Sequence, residues 1–253
     1  MAASRHGVRW SREEAILVLE LYCRIPFQQS TANNPAVREL ADLLGRTPGS
    51  IAMKLGNFGA FDPTLRSKNI RGLAHASRLD REVWERFHAD WNGLAWEAEA
   101  LRKERSSASE EVEFAPPSGP SEKIALAKRR VHQSFFRDAV LSSYESACCV
   151  TGLPIRECLI ASHIVPWSKS EQFRADPTNG LCLSATFDRL FEAGLMTVTE
   201  NLRVQLSSRI AGLRGEAFRD LIYRYNDQPI AKPMRFTPSA ERLEWHRLHR
   251  FQR

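Results

Sequence analysis

CCVTGLPIRECLIASHIVPWSKSEQFRADPTNGLCLSATFDRLFEAGLMTV, residues 148–198, is the stretch whose reading decides the fold. Leu159-Ile160-Ala161 is a short apolar run that predicts a buried strand, and it delivers Ser162 and His163 at its end. A polar loop follows from Trp167 to Thr178. Asn179-Gly180 predicts a tight turn, and Leu181-Cys182-Leu183 a second short strand. Ser184 stands where an N-cap would open a helix running to Glu192, with Gly194 as its stop. The local order is strand, loop, strand, helix. Asp188 and Glu192 lie four residues apart on that helix, so both carboxylates are expected on one face.

Outward from this unit, Leu195–Val198 and Leu202–Leu206 flank Thr199-Glu200-Asn201 and read as a hairpin. The segment from Pro238 to Phe251 reads as a helix with Trp245 on its apolar side, and His246 and His249 there as structural or surface residues. On the other side, Ile124 to Ser143 reads as one helix that carries the basic cluster Lys128-Arg129-Arg130. Residues 103–122, KERSSASEEVEFAPPSGPSE, are rich in Ser, Glu and Pro and predict a linker, since Pro116-Pro117-Ser118-Gly119-Pro120 cannot hold a helix. The expected division is a helical domain at 1–102, a linker at 103–122 and a second domain at 123–253.

The N-terminal part reads as helices. Ser11 and Glu14 form a capping box before Ile16, Leu17, Leu19, Leu21 and Tyr22, and Pro26 stops that helix. A second helix runs from about Pro35 to Gly45, a third opens at Thr47-Pro48, and a fourth spans about Leu79 to Leu101. The passage LADLLGRTPGSIAMKL, Leu40–Leu55, resembles Myb-like and related helix-turn-helix modules. That resemblance implies DNA contact through Arg46, Ser50, Lys54 and Asn57, presented outward by the third helix.

Composition sets the outer bounds. The 253 residues are 43% apolar and 26% charged, ordinary for a globular protein and enough for a sizeable core. No apolar run approaches the roughly 18–20 residues of a membrane helix, and MAASRHGVRWSREEA has no apolar secretory core, so no membrane partner and a cytoplasmic location are expected. The five cysteines, Cys23, Cys148, Cys149, Cys158 and Cys182, are odd in number and contain no CxxC pair. That argues against a disulfide framework and against a zinc knuckle. The net charge is +6, with +1 in residues 1–100, −1 in 101–127 and +6 in 128–253. A basic C-terminal half suits a polyanionic partner, because Lys and Arg displace counterions from phosphates.

The central stretch resembles the HNH (ββα-metal) endonucleases, and most closely bacterial restriction-type members. Thr151-Gly152, Ala161-Ser162-His163-Ile164-Val165-Pro166-Trp167, Asp176-Pro177-Thr178-Asn179-Gly180-Leu181-Cys182-Leu183 and Asp188-Arg189-Leu190-Phe191-Glu192-Ala193-Gly194-Leu195 follow that family's segments in order. The fold class implied is α+β: an N-terminal helical, helix-turn-helix-like domain and a C-terminal ββα-metal nuclease domain. The resemblance makes His163 the general base and Asn179 the residue that holds the loop and orients it. It makes Asp188 a metal ligand; Glu192, one helical turn later, faces the same way, Ser162 stands at a second ligand position, and the departures at Ser162 and Phe187 leave the site to recruit Glu192 or another carboxylate such as Glu157. The chemistry suits these residue types. A neutral imidazole can take a proton near physiological pH, and oxygen ligands favour Mg²⁺ or Mn²⁺ over zinc. Two positions depart from the common pattern. Ser162 stands where many relatives carry Asp or His, and Phe187 where many carry His.

The function expected is metal-dependent hydrolysis of duplex DNA by a restriction or defence nuclease. Lys128, Arg129 and Arg130 would contact phosphates, and two copies would cut both strands. The competing expectations are a DNA-binding regulator with a degenerate HNH unit and a ribonuclease.

Overall fold

Ser11 opens the first helix as its sequence dictates: its Oγ accepts from the Glu14 amide at 3.2 Å, and Glu14 Oε2 accepts from the Ser11 amide at 2.9 Å. The computed structural model describes residues 8–70, 72–73, 76–106 and 120–253. The chain divides into two compact units, residues 1–139 and 140–253.

In the first unit, α1 (Arg12–Arg24) is buried along Glu14–Cys23, and α2 (Pro35–Leu44), α3 (Pro48–Gly59), α5 (Arg78–Phe87) and α6 (Trp91–Ser106) pack around it; α4 (Pro63–Ser67) is a single short turn capped by Asp62. The turn between α2 and α3 forms as its residues require. Gly45 takes the left-handed conformation at φ 63°, Thr47 caps α3, and Pro48 occupies its first turn. The fourth helix expected at 79–101 is two helices. Asp90 takes the role of an N-cap, its Oδ1 accepting from the Gly93 amide at 2.9 Å, so the chain restarts as α6.

α7 (Pro120–Ser143) starts at Pro120 instead of Ile124, and the two units part inside it. Its first part belongs with the N-terminal helices: Arg24 reaches Asp138 at 2.6 Å and Ser134 Oγ at 3.0 Å, and Lys128 Nζ lies 5.2 Å from the centre of the Trp96 ring. The boundary is thus set by side-chain contacts of α7 and lies beyond the Pro-rich segment, of which 107–119 fall outside the described residues. This changes the charge picture. Residues 1–139 hold 21 Lys and Arg against 18 Asp and Glu, and residues 140–253 hold 15 against 12, so each unit carries +3. The basic excess expected of the C-terminal half alone is shared equally.

The second unit holds the expected ββα element. β1 (Leu159–His163) pairs antiparallel with β2 (Gly180–Ser184), with Leu159 opposite Ser184 and His163 opposite Gly180. α8 (Ala185–Glu192) follows directly, and Ser184 takes cap geometry, though its side chain makes no cap hydrogen bond. Asn179 closes a single turn of 3-10 helix, Pro177–Asn179, capped by Asp176, and Gly180 is extended at φ −127°. The Asn-Gly pair is therefore the entry to β2 and not a tight turn of its own. The hairpin β3 (Met196–Val198) and β4 (Val204–Leu206) forms where expected. Gly194 sits at φ 69° against the Arg250 carbonyl, where a side chain would collide.

Two further short helices, α9 (Ser208–Ala211) and α10 (Glu216–Leu221), precede α11 (Ala240–His249). His246 on α11 is buried and stacks on Phe191 of α8 at 3.7 Å; its Nε2 donates to the Phe191 carbonyl at 3.1 Å, and its Nδ1 lies 2.9 Å from Thr197 Oγ1. The architecture is α+β. No described helix is long and apolar enough to cross a membrane.

Candidate active site

His163 is the last residue of β1, where the strand gives way to the loop. Its Nε2 lies 3.1 Å from the carbonyl oxygen of Arg174. A carbonyl only accepts, so Nε2 carries the proton and Nδ1 carries the lone pair. Burial lowers the imidazole pKa below its usual value, and the Arg174 carbonyl offsets part of that by favouring the charged form. The ring is therefore neutral at physiological pH, the form that accepts a proton. Trp167 meets it edge-on at 5.8 Å, and the Arg174 guanidinium lies 5.0 Å from the Trp167 ring centre.

Asn179 is fully buried, and its bonds account for that. Its Oδ1 accepts from the Val165 amide at 2.9 Å, while Nδ2 donates to the Val165 carbonyl at 3.0 Å and to the Phe173 carbonyl at 3.4 Å. Its own carbonyl accepts from the Ile164 amide at 2.8 Å. The side chain acts as one more rung of the β1–β2 ladder beyond the point where the strands separate. The two residues after His163 are thereby fixed to the residue that precedes β2.

Asp188 sits near the start of α8 and is buried, 9% exposed. Burial raises its pKa, the nearby Ser162 hydroxyl lowers it, and the charge of Glu192 raises it further. Ser162 is 3% exposed, and its hydroxyl lies beside the Asp188 carboxylate. The structure thus brings together a carboxylate whose pKa burial raises and a buried serine hydroxyl. Glu192 shares the helix face but lies exposed at the rim, 3.7 Å from Arg189. Glu157 is exposed at the opposite end of β1 from His163. Phe187, buried against Tyr225 at 5.3 Å, offers no ligand.

Among the described residues no three His, Cys, Asp or Glu side chains gather as a ready cage. The donors present are hard oxygens. Asp188 and Ser162, with Glu192 outside them, suit a cation that keeps several waters and takes substrate oxygens as ligands, as Mg²⁺ does.

The residues expected to present DNA-reading groups do otherwise. Arg46 pairs with Glu14 at 2.7 Å and donates to the Val8 and Arg9 carbonyls. Lys54 is buried, 4% exposed, and pairs with Asp80 at 2.5 Å; Asn57 donates to the same carboxylate. Trp10 covers both cations, its ring centre 4.3 Å from Arg46 and 4.8 Å from Lys54. Ser50 is half-buried and its hydroxyl donates to the Thr47 carbonyl. The expectation of an outward polar face on α3 is corrected. Burial of these groups needed acidic partners from α1 and α5, which the local sequence does not display. Met53 is the exposed side chain there. Lys128, Arg129 and Arg130 are exposed as expected.

Three residues near the site were not singled out from sequence: Trp167, Arg174 and Arg242. Trp167 and Arg174 stood inside the quoted motif and its loop. Arg242 lies on α11 and gives no local signal.

Residues 148–199 match the family model described as HNH endonuclease. No curated protein matches the chain.

Proposed function

Starting from the HNH endonuclease-family domain that residues 148–199 carry, we propose that this protein is a divalent-metal-dependent DNA endonuclease of restriction or defence type. The observation that carries the reading is His163, whose Nε2 faces the Arg174 carbonyl at the end of β1, in the same ββα unit as a buried Asp188 beside the Ser162 hydroxyl.

In this reading His163 Nδ1 takes a proton from the attacking water as its oxygen bonds to phosphorus and the bond to the leaving oxygen breaks. Asn179 keeps the imidazole in register by fixing Ile164 and Val165. Asp188 and Ser162 would hold the cation, Mg²⁺ or Mn²⁺, with Glu192 at the rim. Such an ion would supply neutralisation of charge on the phosphate and the leaving oxygen. Lys128, Arg129 and Arg130 offer exposed positive charge to duplex phosphates. Two copies acting together would cut both strands.

The second reading, a DNA-binding regulator with a degenerate nuclease unit, draws on Phe187, which fills a ligand position with a buried ring. Nicking of supercoiled plasmid by the full chain separates the two. Cleavage is expected with Mg²⁺ or Mn²⁺, none after chelation, and at least about 100-fold less from His163→Ala. Metal-independent cleavage overturns the metal dependence, and no cleavage under any condition with duplex DNA still bound overturns the nuclease reading; faster cutting of RNA than of duplex DNA reassigns its substrate.

A further inference from the structure

α11 reaches back over the loop that follows β1. Arg242, in its first turn, places Nη2 at 2.6 Å from Asp176 Oδ2 and Nη1 at 2.7 Å from Thr178 Oγ1. Its guanidinium carbon lies 3.9 Å from the centre of the Phe173 ring. Three residues earlier, the Ser239 amide donates to the Thr178 carbonyl at 2.9 Å. Both members of the ion pair are largely buried, 13% and 14% exposed, so this is a desolvated clamp with one arm on the carboxylate and one on the Thr178 hydroxyl, and not a surface pair.

The clamped residues are the ones that shape the loop. Asp176 Oδ1 accepts from the Thr178 amide at 2.9 Å and from its hydroxyl at 2.8 Å, and the Asp176 carbonyl accepts from the Asn179 amide at 2.9 Å. Phe173 supplies a carbonyl to Asn179 Nδ2, and Arg174 supplies the carbonyl that fixes His163. The Arg174 carbonyl that meets His163 and the Asn179 bonds to Ile164 and Val165 therefore lie within the segment 173–179 that Arg242 holds at Phe173, Asp176 and Thr178. The same helix holds α8 through His246 on Phe191, and the Arg250 side chain on the Glu192 carbonyl.

We infer that Arg242 is a positioning residue for the proposed hydrolysis: it acts through Asp176, Thr178 and Phe173 to hold the His163 loop, and α11 thereby sets that loop relative to the helix bearing Asp188. The inference rests on the reading of His163 as the base. Misplacement of a reacting group by about 1 Å costs on the order of 100-fold in rate. A loosened loop should therefore lower kcat with little change in KM, since no Arg242 atom is assigned to substrate.

The test uses the full chain carrying Arg242→Ala or Arg242→Lys, with amide hydrogen exchange as the first readout and plasmid nicking as the second. In Arg242→Ala, protection of the Ile164 and Val165 amides is expected to fall at least about tenfold while the amides of the β3–β4 hairpin keep theirs. kcat should drop roughly 100-fold. Arg242→Lys, which keeps the charge and loses the fork, should fall between. Unchanged protection at Ile164 and Val165 overturns the inference. So does a uniform loss of protection, with kcat per folded molecule unaltered, because that marks a merely structural contact. Exchange is read without DNA or metal, so a wild-type protein that never cleaves would defeat the nuclease reading and leave the loop result to stand by itself.

Discussion

α3 and α8 are both short helices opened by a hydroxyl residue in cap geometry, and both bury a charged side chain. On α3 the buried charge is Lys54, and the protein answers it with Asp80 at 2.5 Å and the Trp10 ring. On α8 the buried charge is Asp188, with a serine hydroxyl beside it and an exposed carboxylate, Glu192, on the same face. The contrast separates structure from site. A charge neutralised inside the fold stabilises the fold. A buried charge whose surroundings raise its pKa is the kind of group a bound cation would stabilise. For that reason the helix that looked like the reader of DNA turned out to be core, and the helix beside His163 kept its chemistry open.

Substitutions can break this contrast. His163→Ala carries the largest expected effect, a loss of about 10²–10⁴-fold in nicking rate with duplex binding in a gel shift nearly unchanged, because the side chain acts on water. Binding lost in parallel with cutting would make His163 a contact residue instead.

Lys54→Met tests the other side. It strands Asp80 in the core and should cost about 3–5 kcal/mol in denaturant unfolding, with nicking per folded molecule unchanged. A small stability change accompanied by loss of DNA binding would restore α3 as an interface.

Asp188→Ala should weaken Mn²⁺ binding in calorimetry and lower nicking by at least about 100-fold, the equivalent of several kcal/mol of lost charge stabilisation. Glu192→Ala, at an exposed pair, should change either quantity less than about threefold. Equal effects from the two would place the ion further out, between both carboxylates.

Acid stability sharpens the comparison between the units. Burial lowers the pKa of His246 to about 4, while the unfolded chain keeps the ordinary 6.5. Between those values the unfolded state binds a proton that the folded state does not, so stability rises with pH across this window. The contribution is complete above pH 6.5, is lost as pH falls toward 4, and is on the order of 3 kcal/mol. Thermal melts across that range should show the slope, and His246→Gln, which keeps a donor for Phe191 and an acceptor for Thr197, should flatten it. An unchanged slope would assign the acid sensitivity elsewhere.

Much of the second unit was legible because its signals are local. Apolar triplets make β1 and β2, and Ser184 and Gly194 bound α8. His163, Asn179 and Asp188 fall where short-range rules put them. What escaped reading was partnership at a distance. Asp90 breaks the fourth helix by a side-chain bond that competes with continuation. The first part of α7 belongs to the N-terminal unit through Arg24 and Trp96, which nothing within α7 announces.

The sequence by itself determined the element order of the ββα unit, the α+β class and the residue types available for hydrolysis, because periodicity, caps and turns act within a few residues. Tertiary structure alone decided which charges were consumed. Arg46 and Lys54 found acids 32 and 26 positions away in the chain, Arg242 found Asp176 across 66, and Ser162 came to lie beside Asp188. A hydrogen bond or ion pair depends on where two atoms meet, and only the packed chain brings distant residues to that distance.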